Sequence, residues 1–252
     1  KRLGSTTQNT TQIGSTVLAG WTLDGGASLS TSLIAYWKLD ETAGTRSDQV
    51  GTNNLTALND PNSASGIRGL ASNYVQGNSQ NLYIVNNSSL NINSSNFSVS
   101  VWAYADRLNL PGSFQWVVDK RTESATSNVE WLLSANDSGS AVYKFVFQVG
   151  TGPGNTDSVR AVWANSAGAL NTATWYHIVA WHSNNSHIGI SVNLSVDTAP
   201  HTLGVSPGSG SFNVASYRTD ATVQNNWDGR IDECGFWRKV LSASERSDLY
   251  GG

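Results

Sequence analysis

Cysteine is almost absent from this sequence, with Cys234 as the single example among 252 residues. An intrachain disulfide is therefore excluded, and a chain of this length can bury enough surface in one hydrophobic core to be stable without disulfides or metals. We interpret Cys234 as a small buried hydrophobe. Methionine is absent altogether. Because Lys1 is not a translation start, we expect the chain to derive from a longer or processed polypeptide.

Charged residues are also scarce, since Asp, Glu, Lys and Arg make up only 13% of the sequence and the formal net charge is -3. Without a basic stripe, nucleic acid is not an expected partner. The sequence has no run of eighteen apolar residues, so we expect no membrane span. Solubility must come from Ser, Thr, Asn and Gly. This composition is typical of many extracellular, cell-surface and virion proteins, and we expect one of these locations.

From Leu33 onward the sequence contains short apolar alternations separated by clusters of Gly, Asn, Ser and Asp. Residues spaced by two lie on one face of a strand. The pattern predicts an all-β antiparallel sandwich. The clearest sets are Phe97, Val99 and Val101, then Tyr143, Phe145, Phe147 and Val149, and then Ile188, Ile190 and Val192.

Two segments depart from the strand pattern. Ser242, followed three residues later by Glu245, forms a capping-box sequence and predicts one short C-terminal helix. Residues 1–32 are polar with isolated apolar positions and no period, so we predict an extended N-terminal arm before a sandwich over residues 33–252. The arm is either a linker or a segment that docks on the sandwich or on a neighbouring subunit. Docking on a neighbour would support a homo-oligomer or a virion assembly.

Five segments carry a resemblance to a known family. They are AYWKLDETAGTRSDQVGTNNLTA (35–57), GIRGLASNYVQGNSQNLYIV (66–85), SSLNINSSNFSVSVWAYAD (88–106), WYHIVAWHSNNSHIGISVNLS (175–195) and WDGRIDECGFWRKVLSASERSDLY (227–250). The last is the most specific, because a Gly-x-Ile-Asp-Glu strand, a Trp, a Leu-Ser-x-x-Glu motif and a Leu-Tyr pair follow one another. Together the segments resemble the laminin-G-like branch of the concanavalin A-like lectin/glucanase superfamily. The resemblance implies a concanavalin A-like jelly roll. Ser195 stands where this family usually has a turn Gly, so a longer or bulged hairpin is expected there.

The resemblance leaves the function open, because this fold carries lectins, glycosidases, receptors and virion proteins. Its laminarinase-type hydrolases use two glutamates and an aspartate at alternate positions of one strand. No two Glu residues of this chain have that spacing, and Asp232 and Glu233 are adjacent, which predicts opposite faces. His177, His182 and His187 are spaced by five and so do not converge on a metal. We predict no catalytic residue and no enzymatic activity, with a carboxylate pair assembled across strands as the alternative.

Calcium is the one cofactor that the sequence suggests. The Gly-containing loop that holds Asp40 and Asp48 offers several oxygen ligands within a short stretch. Relatives that this chain resembles hold a structural calcium between such a loop and the acidic pair of the late strand. By that resemblance Asp40, Asp48 and Asp232 are the candidate metal ligands. The alternative is that Asp40 and Asp48 cap turns while Glu233 pairs with an arginine.

Tryptophan is abundant, with ten residues in the chain, and exposed indole rings can stack on the apolar faces of sugars. The resemblance implies that the tryptophans of the strand motifs pack in the core; these are Trp37, Trp102, Trp175 and Trp237. Trp116, Trp163 and Trp227 lie near predicted loops, and we select them as candidate ligand-binding residues.

These observations favour a non-catalytic, lectin-like surface module that binds a glycan or a protein partner on the outside of a virion or cell. The alternative is a structural virion or fibre component that assembles through the N-terminal arm and binds no sugar. Glycan binding and the oligomeric state distinguish the two.

Overall fold

The structure is a computed structural model, and it describes residues 28–92, 95–108, 114–121, 129–137, 139, 142–150, 159–205, 208–218 and 223–252. Its strands are β1 Leu33–Trp37, β2 Thr56–Leu58, β3 Asn62–Ser65, β4 Leu70–Tyr74, β5 Asn81–Ile84, β6 Phe97–Ala105, β7 Gln115–Arg121, β8 Val129–Asn136, β9 Lys144–Gly150, β10 Val159–Trp163, β11 Trp175–Ser183, β12 Ser186–Val192, β13 Ser195–His201, β14 Ser211–Val214, β15 Tyr217–Arg218, β16 Val223–Gln224 and β17 Gly229–Trp237. The helix α1 spans Ala243–Gly251. Short 3-10 turns occupy Gln76–Asn78 and Ser88–Leu90.

Two antiparallel sheets form the sandwich. The eight-stranded sheet has the order β13-β12-β11-β6-β17-β4-β3, with β1 also paired to β17. The seven-stranded sheet has the order β10-β9-β8-β7-β14-β5-β2, and β15 and β16 form a separate ribbon. The predicted all-β sandwich is therefore confirmed.

The core lies between the inner faces of the two sheets. Phe97 of β6 contacts Trp131 of the opposite sheet with ring centroids 5.6 Å apart, and Phe236 of its own sheet at 5.8 Å. Cys234 is fully buried in the same cluster, as predicted. The predicted alternating sets also lie on the core face, because every second residue of a strand points to the same side.

The C-terminal helix packs on the outer face of the eight-stranded sheet. Its capping box forms as predicted, with Ser242 Oγ accepting from the Glu245 amide and the Glu245 carboxylate accepting from the Ser242 amide. Leu249 of the helix joins a second apolar cluster with Trp181 and Trp237. Gly189 makes room for this cluster, because a Cβ at that position would overlap the Trp181 ring.

The described part of the predicted arm is attached to the sandwich. Leu29 is buried in the second apolar cluster, and Trp237 Nε1 donates a 2.7 Å hydrogen bond to the Leu29 carbonyl. Residues 1–27 of the arm lie outside the described residues.

The hairpin between β12 and β13 differs from expectation. Val192 pairs directly with Ser195, so the connection has only two residues and no bulge. Asn193 and Leu194 both have positive φ angles, of 47° and 69°, which match the type I′ turn that fits the twist of a hairpin. The missing turn Gly is therefore accommodated by left-handed backbone at two non-Gly residues.

Candidate functional site

The outer face of the seven-stranded sheet is polar at its centre. Val118 of β7 and Leu133 of β8 face the core, so the alternation turns Asp119 and Ser134 away from it. In β14, Phe212 and Val214 face the core, which turns Asn213 to the same outer side. The register pairs Asn213 with Asp119 across β14 and β7.

These polar side chains are shielded from solvent, yet their hydrogen bonding is incomplete. Asn213 Nδ2 donates to Asp119 Oδ2 at 3.3 Å and to the Ser211 carbonyl at 3.2 Å. Asp119 Oδ1, Asn213 Oδ1 and Ser134 Oγ are buried and have no hydrogen-bond partner. An unmatched buried polar atom costs about 1–3 kcal/mol. Three of them lie on one face of this sheet, so the fold carries an unusual concentration of unmatched polar groups there.

Electrostatics at this face are dominated by burial. Burial raises the pKa of Asp119 well above its usual range, although Arg121 and the Asn213 hydrogen bond pull it down. The Arg121 guanidinium lies 4.9 Å from the ring centroid of Trp116, a cation–π contact on the same strand. The face therefore combines a carboxyl that binds its proton tightly, a guanidinium and neutral hydrogen-bonding groups.

Two of the three predicted tryptophans lie on this outer face. The register aligns Trp163 of β10, Val146 of β9, Ser134 of β8 and Trp116 of β7 in one row across the sheet. Trp163 is partly exposed, whereas Trp116 is only 5% exposed. We call the set formed by Trp116, Asp119, Ser134, Trp163 and Asn213 the polar face.

Trp227 does not lie at the surface. It is fully buried, its ring stacks on Phe145 with centroids 6.3 Å apart, and its Nε1 donates to the Tyr104 carbonyl at 3.2 Å. The expectation of an exposed ring is wrong for Trp227, because its side chain turns from the loop before β17 into the core. Trp116 is also not an exposed ring, since it is covered within the polar face.

Asp48 is used entirely in local structure. Its Oδ1 accepts from the amides of Tyr36 and Val50, at 3.1 and 3.0 Å, and its Oδ2 accepts from the Asn53 amide and side chain, at 3.0 and 3.1 Å. Both carboxylate oxygens therefore hold the loop after β1. This arrangement is the turn-capping alternative for Asp48.

Asp40 and Asp232 hold a second loop, residues 66–70, from two sides. Asp232 Oδ2 accepts from the amides of Ile67 and Arg68, at 2.8 and 3.2 Å, and Asp40 Oδ1 accepts from the Leu70 amide at 2.7 Å. Asp232 Oδ1 is buried and has no hydrogen-bond partner. Burial, together with the charges of Glu233 and Asp40, raises the pKa of Asp232 to about 8.

Glu233 lies on the same side of the sheet as Asp232, which corrects the expectation of opposite faces. A β-bulge interrupts the β17–β6 register between Asp232 and Gly235, and Glu233 has a φ of 52°. The extra residue lets Cys234 face the core while Glu233 accepts a hydrogen bond from the Tyr36 hydroxyl.

A calcium ion would find a partial ligand set here. The unmatched Asp232 Oδ1 and the nearby Asp40 carboxylate fit a hard cation that also accepts backbone carbonyls and water, whereas Asp48 does not fit. Over the described ranges, no group of three or more His, Cys, Asp or Glu side chains is arranged to hold a metal.

The sequence did not point to the residues at the centre of the polar face. Asp119, Ser134 and Asn213 come from three strands, and only the sheet register brings them together. The available signal was a polar residue on the non-core face of each strongly apolar strand, as in Phe212-Asn213-Val214.

The sequence matches a family model described as the concanavalin A-like lectin/glucanases superfamily, of the laminin G type, over residues 76–245. The chain belongs to this superfamily. No curated protein of similar sequence was found. In the part of this laminin-G-type chain that the structure describes, no helix is long and apolar enough to cross a membrane.

Solved structures share the fold at low sequence identity. The binding domain of Paraclostridial Mosquitocidal Protein 1 is 15% identical, with a TM-score of 0.66, and the alignment covers 87% of this chain and 52% of that one. Domain 4 of AbnA, an extracellular GH43 arabinanase from Geobacillus stearothermophilus, was solved with arabinotriose; it is 15% identical, with a TM-score of 0.61 and coverage of 87% and 98%. The binding domain of Botulinum Neurotoxin DC in complex with SialylT is 14% identical, with a TM-score of 0.65 and coverage of 89% and 52%. The chain thus spans about half the length of the two toxin structures.

Proposed function

We propose that this laminin-G-type chain is a non-catalytic, lectin-like module that binds a glycan on its polar face. The observation that carries the proposal is the set of three buried atoms without hydrogen-bond partners, Asp119 Oδ1, Ser134 Oγ and Asn213 Oδ1. Sugar hydroxyls both donate and accept hydrogen bonds, so they can pair with a carboxyl, a hydroxyl and an amide oxygen alike. The Trp163 ring, at the open side of the same row, can stack on the apolar face of a neighbouring sugar.

The comparisons support binding rather than catalysis. Several similar folds are binding domains, and one was solved with arabinotriose. Glycosidases of the usual kind need two carboxyl groups that flank the scissile bond. Glu130, a carboxylate whose charge acts on Asp119, is committed to an ion pair with Lys120 at 2.7 Å. We therefore assign Asp119 to hydrogen bonding and not to acid catalysis.

We place the module on an exterior surface, of a cell or a virion. The low charge content and the wealth of Ser, Thr, Asn and Gly support this setting. Assembly into a homo-oligomer through the N-terminal arm is a separate part of the proposal, and it is compatible with glycan binding.

A structural calcium ion beside Asp40 and Asp232 is also part of the proposal. The ion would give Asp232 Oδ1 a partner and would offset the repulsion between the Asp40 and Asp232 carboxylates. Its role would be to fix the loop of residues 66–70, and no catalytic step depends on it.

A glycan array followed by calorimetric titration of the best ligand tests the function. Three variants each remove or alter one of the unmatched groups: Asp119→Asn, Ser134→Ala and Asn213→Ala. Each should weaken glycan binding about tenfold, because the loss of one hydrogen bond of about 1.4 kcal/mol corresponds to a tenfold change in Kd. Asn62→Ala, at an exposed position on the other sheet, is the matched control.

Two results would contradict the proposal. One is the absence of any glycan ligand for a protein that is folded by circular dichroism. The other is binding that is equally strong in the three polar-face variants and in the control. New reducing ends on incubation with laminarin or another polysaccharide, abolished by Asp119→Asn, would show that the site is catalytic instead.

A further inference from the structure

The outer face of the eight-stranded sheet is divided into two halves. Helix α1 covers one half, where Val179, Trp181 and Trp237 pack against Leu249. The other half carries aromatic rings that the helix leaves partly exposed. They are Trp102 and Tyr104 of β6, Trp175 of β11 and Tyr250 at the end of α1, and we call these four residues the aromatic platform.

The strand register explains why these rings face outward. Val101 and Ala103 belong to the core, so Trp102 and Tyr104 point away from it, and Trp175 pairs with Tyr104 across β6 and β11. Trp102 and Trp175, which the family resemblance assigned to the core, are both partly exposed. The expectation for these two residues was therefore wrong.

The rings of the platform form two contacting pairs, one stacked and one tilted. Trp102 and Tyr250 are nearly parallel, at an interplanar angle of 14° with centroids 5.7 Å apart. Tyr104 and Trp175 are 5.4 Å apart at 53°. Tyr250 is 40% exposed. Partly exposed aromatic rings grouped in this way suit the binding of a ligand with apolar faces.

Two arginines border the platform. The Arg230 guanidinium lies 4.5 Å from the centroid of Tyr104, its Nη1 donates to the Ser65 carbonyl at 3.3 Å, and its Nε has no hydrogen-bond partner. At the other end, the Arg68 guanidinium lies against Gly252, which caps α1. A guanidinium presents a planar fork of donors that matches a carboxylate.

Two acidic residues of β17 near the platform are buried. Asp232 is fully buried, and one of its carboxylate oxygens accepts from the amides of Ile67 and Arg68. Glu233 is also buried and accepts from the Tyr36 hydroxyl. These two carboxylates are therefore not surface charges, whereas Asp106 and Asp248 are exposed, two residues from Tyr104 and Tyr250 in the sequence.

We propose that the aromatic platform is a second binding site, for a glycan that carries carboxylate groups. The rings stack on the apolar faces of successive sugars, and Arg230 pairs with a sugar carboxylate. A hydrophobic protein segment would favour bulky aliphatic side chains, and the four residues of the platform are all aromatic. Aromatic rings with polar edges suit a sugar, whose ring faces are apolar and whose hydroxyl groups remain hydrated. The site lies on the opposite sheet from the polar face and is independent of it.

The test is calorimetric titration of the full chain with oligogalacturonate and with the same oligomer as its methyl ester, which has the same rings but no charge. The acid should bind and the ester should bind more weakly. Trp102→Ala and Trp175→Ala should each weaken binding of the acid about tenfold or more. Trp102→Phe, which keeps an aromatic ring, should retain most of the affinity. Melting curves check that each variant is folded.

The arginine is tested by its charge. Arg230→Gln should abolish the preference for the acid over the ester, and added salt should reduce that preference in the unmodified chain. Arg160→Gln, at an exposed position of β10 in the other sheet, and Leu203→Ala, on an exposed loop, are the controls and should change neither affinity nor preference.

Several results would overturn the platform proposal. They are no binding of the acid, equal binding of acid and ester, or binding that Trp102→Ala and Trp175→Ala leave intact. If binding of the acid is lost in Asn213→Ala but kept in Trp102→Ala, the ligand occupies the polar face, which overturns the platform and leaves the first proposed function standing.

Discussion

The buried ion pair of Lys120 and Glu130 offers a sharp test of the physical reasoning behind the polar face. Lys120 Nζ lies 2.7 Å from Glu130 Oε1, and both side chains are only 1% exposed. Lys120 Nζ also donates to the Gly210 carbonyl at 2.9 Å, next to the first residue of β14. The pair thus joins β7 and β8 to the strand that carries Asn213.

Removing one partner leaves an uncompensated charge in a place that water does not reach. Glu130→Gln should therefore destabilise the fold by about 3–5 kcal/mol, the range for breaking a buried pair. Replacing both residues, by Lys120→Met together with Glu130→Leu, should cost far less, because no charge then remains buried. Arg107→Gln breaks the pair with Asp228, in which the arginine is 66% exposed, and should cost about 1 kcal/mol or less.

Urea denaturation followed by tryptophan fluorescence measures these differences as changes in the free energy of unfolding, provided that the m-value stays constant. If Glu130→Gln lowers the free energy of unfolding no more than Arg107→Gln does, the ion pair is hydrated and the expected penalty is refuted. If the double replacement lowers it as much as the single one, side-chain shape and not buried charge decides the loss.

Three further predictions concern the metal, the arm and pH. In metal-depleted protein, calcium should raise the melting temperature more than magnesium does, and EGTA should reverse the increase. The corresponding gain in the free energy of unfolding is about 2.7 kcal/mol when free calcium is at a hundredfold excess over Kd. Asp232→Asn should weaken the response, and a melting curve that neither calcium nor EGTA changes would refute the site. Deleting residues 1–27 should leave a folded sandwich that assembles less well in light scattering, and unchanged assembly would make the arm a linker. His182 and His201 are buried with ring centroids 5.2 Å apart, and burial lowers the pKa of both. The unfolded state therefore binds protons more readily, so the fold should lose stability as the pH falls below about 6.5. Urea denaturation at several pH values should show this loss, and His182→Gln should make it smaller.

Local patterns were enough to predict the sandwich and the helix. Strand alternation and the capping box depend on neighbours a few residues apart, and the structure has both where the sequence indicates them. The same alternation could have placed Trp102 on the outer face, because the apolar set that contains Val101 already defined the core side of β6. The family resemblance implies a core position for Trp102, and the alternation within β6 contradicts it.

The candidate sites depend on features that no local pattern reveals. Val117 and Val118 both face the core, because the β7–β8 register shifts between Trp116 and Val118. Only the paired strands show this shift, and it turns Trp116 into the row of the polar face. The burial of Trp227 is likewise invisible to a local pattern, since a loop residue can turn its side chain into the core.

The bulge in β17 has consequences for both halves of the outer eight-stranded face. Without it, strict alternation would turn Glu233 into the apolar core, where an ionised carboxylate is very costly. With it, Glu233 meets the Tyr36 hydroxyl, and Asp232 keeps its place beside the loop of residues 66–70. Gly235 then faces outward under the Trp237 ring, where a larger residue would overlap the indole and displace the cluster that seats α1. Because Tyr250 belongs to the same helix, the geometry of the aromatic platform depends on this one irregular residue of β17.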